Sequence, residues 1–487
     1  MKKFWIVALL LLVSLGVRVY QITNHTEFLG DQGRDALVIR ELIMEGKWPV
    51  AGPTVGAGYY TGPFYYYLIA PSFVLFKNNP IAPAIEMSII SVAAILLFFN
   101  IATSLFGFSI AYGISLLWAM SPLMIIQDRR LWNPTSIPFF ILLLICSLIW
   151  IVKDKKYWAF LTASFAAAVL FQLHYVNSIS LVMAGICFIG IVYRLVKQGK
   201  GKTILPWLIA GIGIFALLSY PFISYEAQHG FKDMKGSFMT LSYTEGQLFS
   251  KRLYLTTFIG ICERLISYII ALPWKIPLII VTACIIGANL LKKKFISYML
   301  VLWFCTGIAV LALYKDTFQP QYAYQFIPIV FLLLGGLAQG IRRLTSWPLI
   351  CGLVMGIVAI SWFFNNPYKT NEPDIPRLTA LTDTVSSIAR DTPFAFTVIN
   401  SRSFTDFHVR YFLLMKNAQI VPVDDIDNMT LFVLCEAGCP KAELIEKVSV
   451  MCHTELCPLD KPVITLADWT YISTDQVGTS AVYVYKR

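Results

Sequence analysis

The chain has 487 residues, 57% of them hydrophobic and only 14% charged, with a mean hydropathy of +0.67. Soluble domains run nearer about 45 to 50% apolar and about 25% charged, so this composition excludes a soluble protein and indicates a polytopic membrane protein. The net charge of +11 does not point to nucleic acid, because Lys and Arg fall in short clusters between apolar runs, as cytoplasmic loops do.

The opening MKKFWIVALLLLVSLGVRVY has the basic and apolar regions of a signal peptide, but no small-x-small cleavage site follows, so it reads as a retained first span. A bilayer core needs roughly 20 mostly apolar helical residues, and by that rule about eleven spans are expected. They run Phe4 to Ile22, Ile81 to Leu105, Phe108 to Ile126, Ile137 to Val152, Tyr157 to Leu173 and Val176 to Tyr193. The remainder are Thr203 to Ile223, Trp274 to Leu291, Phe295 to Tyr314, Tyr322 to Ile341 and Trp347 to Phe364. Phe64 to Phe76, short, Tyr-rich and broken by Pro71, reads as an interfacial or re-entrant helix.

Positive residues mark cytoplasmic loops. Lys2, Lys3, Lys153, Lys155, Lys156, Arg194, Lys197, Lys200, Lys202, Lys292, Lys293, Lys294, Arg342 and Arg343 all fall in alternate loops, with Phe106–Gly107 as the uncharged exception. The expected protein is therefore a multi-pass plasma-membrane protein with its amino terminus in the cytoplasm. The Asp31, Asp128 and Lys315 loops, the stretch from Ser224 to Ala271 and the tail then lie outside. Residues 1–364 make the transmembrane module, with a first outer loop at 23–80. A polar linker at 365–374 leads to a small extracytoplasmic α/β domain at 375–487. In that domain Arg377 to Arg390 reads as a helix, and Phe394 to Ile399, Ala418 to Val423, Thr430 to Leu434 and Ala481 to Tyr485 as strands.

The ionisable groups gather at outer span ends. DQGRDALVIREL, Asp31 to Leu42, interleaves charge with apolar residues as an interfacial helix does. The plain reading of Asp31 is a helix cap. QDRRLWNPTS holds Asp128, Arg129, Arg130 and Asn133; paired arginines suit phosphate through their planar forks, or else snorkel to headgroups. FQLHYVNS supplies Gln172 and His174, where the histidine either meets a ligand or bonds a backbone carbonyl. YKDTFQPQYAYQF adds Lys315, Asp316, Tyr322 and Tyr324.

These pieces, in this order, resemble the GT-C glycosyltransferases that use polyprenyl-phosphate sugars, a group that includes protein O-mannosyltransferases and the enzyme adding aminoarabinose to lipid A. The matching segments are DQGRDALVIREL, EGKWPV (Glu45 to Val50), YYTGPFYYYL (Tyr59 to Leu68), DRRLWNP and YAYQFIP (Tyr322 to Pro328). The resemblance implies inverting transfer of a sugar from a polyprenyl-phosphate donor to an extracytoplasmic protein, lipid or glycan. Asp31 would be the general base and Asp128 a second catalytic residue, with Arg129, Arg130, His174 and Arg34 on the donor phosphate. Asp35, Tyr60, Tyr65, Asn133, Gln172, Tyr322 and Tyr324 would line the substrates. Gln32 and Thr61 depart from relatives that carry an acid and a lysine there. One carboxylate beside Gln32 is a poor hard-cation site, so no metal ligands are assigned and a divalent metal stays open. The tail cysteines Cys435, Cys439, Cys452 and Cys457 could bind zinc, but an outside location favours disulfides. A transporter or flippase of lipid-linked sugars, or a non-catalytic scaffold, is the alternative.

Overall fold

A computed structural model of the chain describes residues 2–55, 58–241, 251–271, 282, 285–286, 295–313, 319–342, 347–369, 372–423, 429–449 and 463–487. The chain forms two compact units, one of Met1–Tyr20, Pro49–Leu68 and Ala84–Lys369, the other of Gln21–Trp48, Ile69–Pro83 and Thr370–Arg487. The second unit thus combines the tail with the Asp31 stretch, which the linear division had assigned to the transmembrane module.

In chain order the first helices are α1 Lys2–Val19, α2 Ile22–His25, α3 Gly30–Glu45, α4 Phe64–Leu75, α5 Ala82–Phe106, α6 Phe108–Met120 and α7 Pro122–Asp128. There follow α8 Ile137–Lys153, α9 Ala159–Leu173, α10 Ser178–Lys197, α11 Gly201–Gln228, α12 Lys232–Leu241 and α13 Lys251–Ser267. The last are α14 Phe295–Leu311, α15 Ile327–Arg342, α16 Trp347–Phe364, α17 Asp374–Ala389 and α18 Phe407–Met415.

Five described helical stretches are long and apolar enough to cross a membrane, and six if the bent pair α6 and α7 counts as one span. The chain is therefore a multi-pass membrane protein, while its expected count of about eleven spans is not reached on length and composition. Helices α9 and α14 are apolar but shorter, at 15 and 17 residues. The expected span from Trp274 to Leu291 lies almost wholly outside the described residues. The third span is not straight, because α6 and α7 meet at a bend of 65°. Ser121 there is extended and caps α7 by accepting from the Met124 amide at 3.4 Å, with Pro122 at the first helical position. α11 runs 28 residues, past the expected end at Ile223, or about 42 Å at the α-helical rise.

Small residues set the helix contacts of the first unit, as they do where lipid gives no hydrophobic drive between helices. A Cβ on Gly211 of α11 would stand 2.6 Å from Ser164 Oγ on α9, and one on Gly335 of α15 would meet the Phe106 ring at 2.5 Å. Trp118 of α6 stacks on Phe331 of α15 at 4.8 Å.

In the second unit β1 (Phe394–Ile399), β2 (Thr430–Cys435), β5 (Thr470–Val477) and β6 (Ser480–Lys486) form a sheet in the order β1-β2-β6-β5. β1 and β2 run parallel, and β6 is antiparallel to both β2 and β5. β3 (Lys447–Ser449) and β4 (Val463–Thr465) pair separately. Ala395, Leu431, Val433, Ala481, Tyr483 and Trp469 form one core on the sheet. Expected strands β1, β2 and β6 are present, whereas Ala418 to Val423 makes only a bridge from Ile420 to Phe394. Helix α17 starts at Asp374, three residues before its expected start, directly after Pro373, which fixes the extended entry. Cys435 and Cys439 are joined as a disulfide with Cα atoms 5.6 Å apart. Cys452 and Cys457 lie outside the described residues.

Candidate functional site

α3 begins at Gly30 with extended Leu29 before it. Asp31 is therefore not the cap but a first-turn carboxylate, placed where the helix dipole favours negative charge. The capping task falls to Gln32, whose Oε1 accepts the Leu29 amide at 2.9 Å, which gives this departure from the family pattern a local reason. Arg34 reaches Asp31 Oδ1 at 3.2 Å and Asp35 Oδ1 at 2.9 Å. Asp35 is buried, while the Asp31 side chain is 54% exposed, so Asp31 is the carboxylate a substrate can meet.

In the first unit Asp128 is buried. Its Oδ2 accepts from Arg18 Nε at 3.0 Å and from a terminal Arg18 nitrogen at 2.7 Å, and from Ser91 Oγ at 2.6 Å. Arg18, fully buried, also donates to Ser14 and to the Ala119 carbonyl, so the cluster ties together α1, α5, α6 and α7. Both charges are desolvated and paired with each other, an arrangement that serves packing of these helices.

Arg129 is also buried, but it is largely unsatisfied. One terminal nitrogen donates to the Pro367 carbonyl at 2.7 Å and the guanidinium lies 5.4 Å from the Tyr368 ring centroid. Its Nε and the other terminal nitrogen have no hydrogen-bond partner among the described residues. Burial lowers its pKa to about 10, so it remains a cation at neutral pH. A buried guanidinium with spare donors is what a phosphate oxygen would satisfy. Arg130 lies over Trp132 at 5.8 Å.

His174, between α9 and α10, is buried, and burial pulls its imidazole down to about 4. Its Nδ1 accepts the Val176 amide at 3.3 Å, so the ring is neutral with its proton on Nε2. It can orient a ligand but brings no charge to a phosphate. Its ring is 5.4 Å from Tyr322, which lies with Tyr324 on the 3₁₀ turn Pro320–Phe326. Gln325 clamps that turn: its Nε2 donates to the Val176 carbonyl at 2.9 Å and its Oε1 accepts Ser180 Oγ at 2.6 Å.

Gln172 donates to the Ala168 and Leu218 carbonyls, and Gly62 packs directly on its side chain. Asn133 donates to the Leu173 carbonyl, Tyr60 accepts the Tyr175 hydroxyl on its carbonyl, and Tyr65 is buried. Gln172 and Asn133, of the expected lining set, thus spend their side-chain donors on backbone carbonyls at the ends of these helices. Lys315 and Asp316 lie outside the described residues.

Sequence reasoning missed Arg264. With Thr256, Thr257, Gly260 and Pro320 it lines a cavity of about 330 Å³, and its guanidinium lies 5.7 Å from the Tyr268 ring. Its Nε is buried without a partner among the described residues. The signal was the Glu263-Arg264 pair closing the otherwise uncharged run Leu253–Cys262 of the helix Lys251–Ser267.

No protein-family model and no curated protein sequence matches the chain. The structure is similar to the crystal structure of ArnT from Cupriavidus metallidurans bound to undecaprenyl phosphate, with a TM-score of 0.63 at 13% identity. That likeness covers 99% of this chain and 98% of ArnT. The chain shares the fold of that protein. An Archaeoglobus fulgidus oligosaccharyltransferase, solved with zinc and sulfate, is similar at a TM-score of 0.48 and 11% identity, over 88% of this chain and 67% of that one.

Proposed function

We propose that this protein is an integral membrane glycosyltransferase that moves a sugar from a polyprenyl-phosphate donor to an extracytoplasmic acceptor. The observation that carries the reading is the end-to-end likeness to ArnT, a protein crystallised with undecaprenyl phosphate. The acceptor hydroxyl oxygen attacks the anomeric carbon as the bond to the phosphate oxygen breaks, which inverts the centre. Asp31 takes the hydroxyl proton, and its half-exposed carboxylate supports that role. The departing polyprenyl phosphate gains charge that needs fixed donors, and Arg129, with its two unsatisfied nitrogens, is the first candidate. Arg264 and Arg130 follow, while Arg34 is engaged by Asp31 and Asp35 and serves to orient them. Tyr322 and neutral His174 supply ring surface and one donor for a sugar.

The proposed placement is the plasma membrane, amino terminus inside and α/β unit outside, on the lysine and arginine asymmetry of the loops. The membrane lipids and a protein, lipid or glycan acceptor are the proposed partners. Among the described residues no group of three or more metal-ligating side chains occurs, and no metal is assigned to the reaction. The reading is tested by incubating the purified protein with a panel of polyprenyl-phosphate sugars and following free polyprenyl phosphate by mass spectrometry. Release of the lipid phosphate coupled to a glycosylated acceptor supports it, and intact donor with every sugar rejects it.

A further inference from the structure

The carboxyl ends of the parallel strands β1 and β2 meet at one edge of the sheet, where the chain leaves β1 through Asn400 to Asp406 and leaves β2 through Glu436. Glu436 is fully buried there, and the donors to its carboxylate come from other segments of this unit. Its Oε1 accepts from Arg377 of α17 at 2.6 Å. Its Oε2 accepts from Ser401 Oγ at 2.8 Å, the Arg402 amide at 2.8 Å and His408 Nε2 of α18 at 3.0 Å.

The same turn receives the start of α3. The Gly30 amide donates to Ser403 Oγ at 3.0 Å, and the Phe28 amide to Asp374 at 3.3 Å. Asp374 in turn faces Arg377 at 3.4 Å and Arg402 at 3.7 Å. No slack remains in the contact. A Cβ on Gly33 would stand 2.3 Å from the His408 backbone nitrogen, and one on Gly30 would stand 2.3 Å from the hydroxyls of Ser403 and Thr405. Asp31 is the next residue after Gly30.

The network is a poor way to gain stability alone. Arg377 Nε and His408 Nδ1 are buried without partners among the described residues, and desolvated ion pairs are often matched by well-packed apolar groups. What it does supply is position: the bonds from Ser401, Arg402 and His408 fix the segments that meet Gly30 and Gly33, and Arg377 faces Asp374, which accepts the Phe28 amide just before α3.

We propose that Glu436 is a positioning residue for the transfer reaction: through Ser401, Arg402, Arg377 and His408 it fixes the docking turn of α3 and so sets where the Asp31 carboxylate stands. This rests on the reading of Asp31 as the base. It assigns the α/β unit a part in catalysis beyond acting as an appended domain. Three substitutions probe it in the full chain: Glu436→Gln keeps the shape and loses the charge, Ser403→Ala removes one bond to Gly30, and Gly33→Ala forces α3 off His408 while leaving Glu436 untouched.

The readouts are hydrogen exchange of the intact protein and steady-state transfer. Expected are faster exchange across residues 30–36, unchanged exchange in β1 and β6, and a kcat lowered about ten- to a hundredfold with the donor KM unchanged, the effect of a roughly 1 Å misplacement. Gly33→Ala is expected to reproduce the kcat loss although the Glu436 network is whole. The proposal is overturned if Glu436→Gln exchanges and transfers as the unmutated protein does. It is also overturned if exchange rises throughout the sheet, which marks a merely structural carboxylate. Failure of the base assignment shows itself separately, as Asp31→Asn transferring at the unmutated rate whichever way the exchange falls.

Discussion

Replacing Arg18 by Met removes one half of a pair whose members expose 0% and 3% of their side chains. Among the described residues Asp128 then keeps the Ser91 hydroxyl as its hydrogen-bond donor, in an interior formed by four helices. Removing one partner of a buried ion pair costs about 3 to 5 kcal/mol, because the other charge is left uncompensated. At about 2 cal/mol/K of unfolding entropy per residue, the first unit, which holds both residues and about two thirds of the chain, would melt about 5 to 8 °C lower. The double replacement Arg18→Met with Asp128→Leu removes both charges and is expected to recover most of that loss, a coupling a double-mutant cycle reads directly. Thermal melting of the detergent-solubilised variants gives the stabilities, and sugar transfer is followed on the same samples. If Arg18→Met melts like the unmutated protein, the pair does not hold the helices. If the double variant is stable yet inactive, Asp128 takes part in the chemistry and the structural assignment is wrong.

Arg129→Met is expected to leave melting unchanged or raised, because an unsatisfied buried cation is removed, while the donor KM rises at least tenfold; an unchanged KM excludes Arg129 from the phosphate site. Acid should weaken the protein in two steps. His174 is held down to about 4 by burial, so the unfolded chain takes up its proton first and stability falls as pH drops from about 6.5 towards 4, by about 3 kcal/mol in all. Burial opposes charge on Glu436, yet His408 and Arg377 hold its pKa below the usual carboxylate range, so its contribution is present above about pH 4.5 and lost below it. Melting curves between pH 4 and 7 with His174→Gln as control check the first step, which the control should lack. Reducing Cys435–Cys439, or replacing both by Ser, should cost about 2 kcal/mol from a short loop and destabilise the turn that carries Glu436, visible as a lower melting temperature of the α/β unit with reductant.

Much of this was legible in local pattern and some of it was not. The apolar runs and strands β1, β2 and β6 follow from composition and length, because burial dictates both. Helix α18, Phe407–Met415, was missed because nine residues this apolar are as compatible with a buried strand as with a helix. β5 was missed because its side chains are mostly exposed and polar, with no buried alternation to betray it. The bend at Ser121 had a signal in Ser-Pro, which an unbroken hydropathy window averages away. Arg18 and Asp128 are 110 residues apart, so no local pattern joins them, and Asp128 looked like a loop acid. Asp31 was singled out through the family resemblance, whereas the packing of its neighbours, Gly30 on Ser403 and Gly33 on His408, is a matter of tertiary structure.

The central claim is a transfer reaction with Asp31 as its base. It is tested most directly by measuring sugar transfer from a polyprenyl-phosphate donor by the purified protein and by its Asp31→Asn variant at equal folded concentration. The account predicts transfer by the first and a loss of at least about a hundredfold in kcat for the second, the scale of a positioned general base. Equal rates from the two proteins would contradict it.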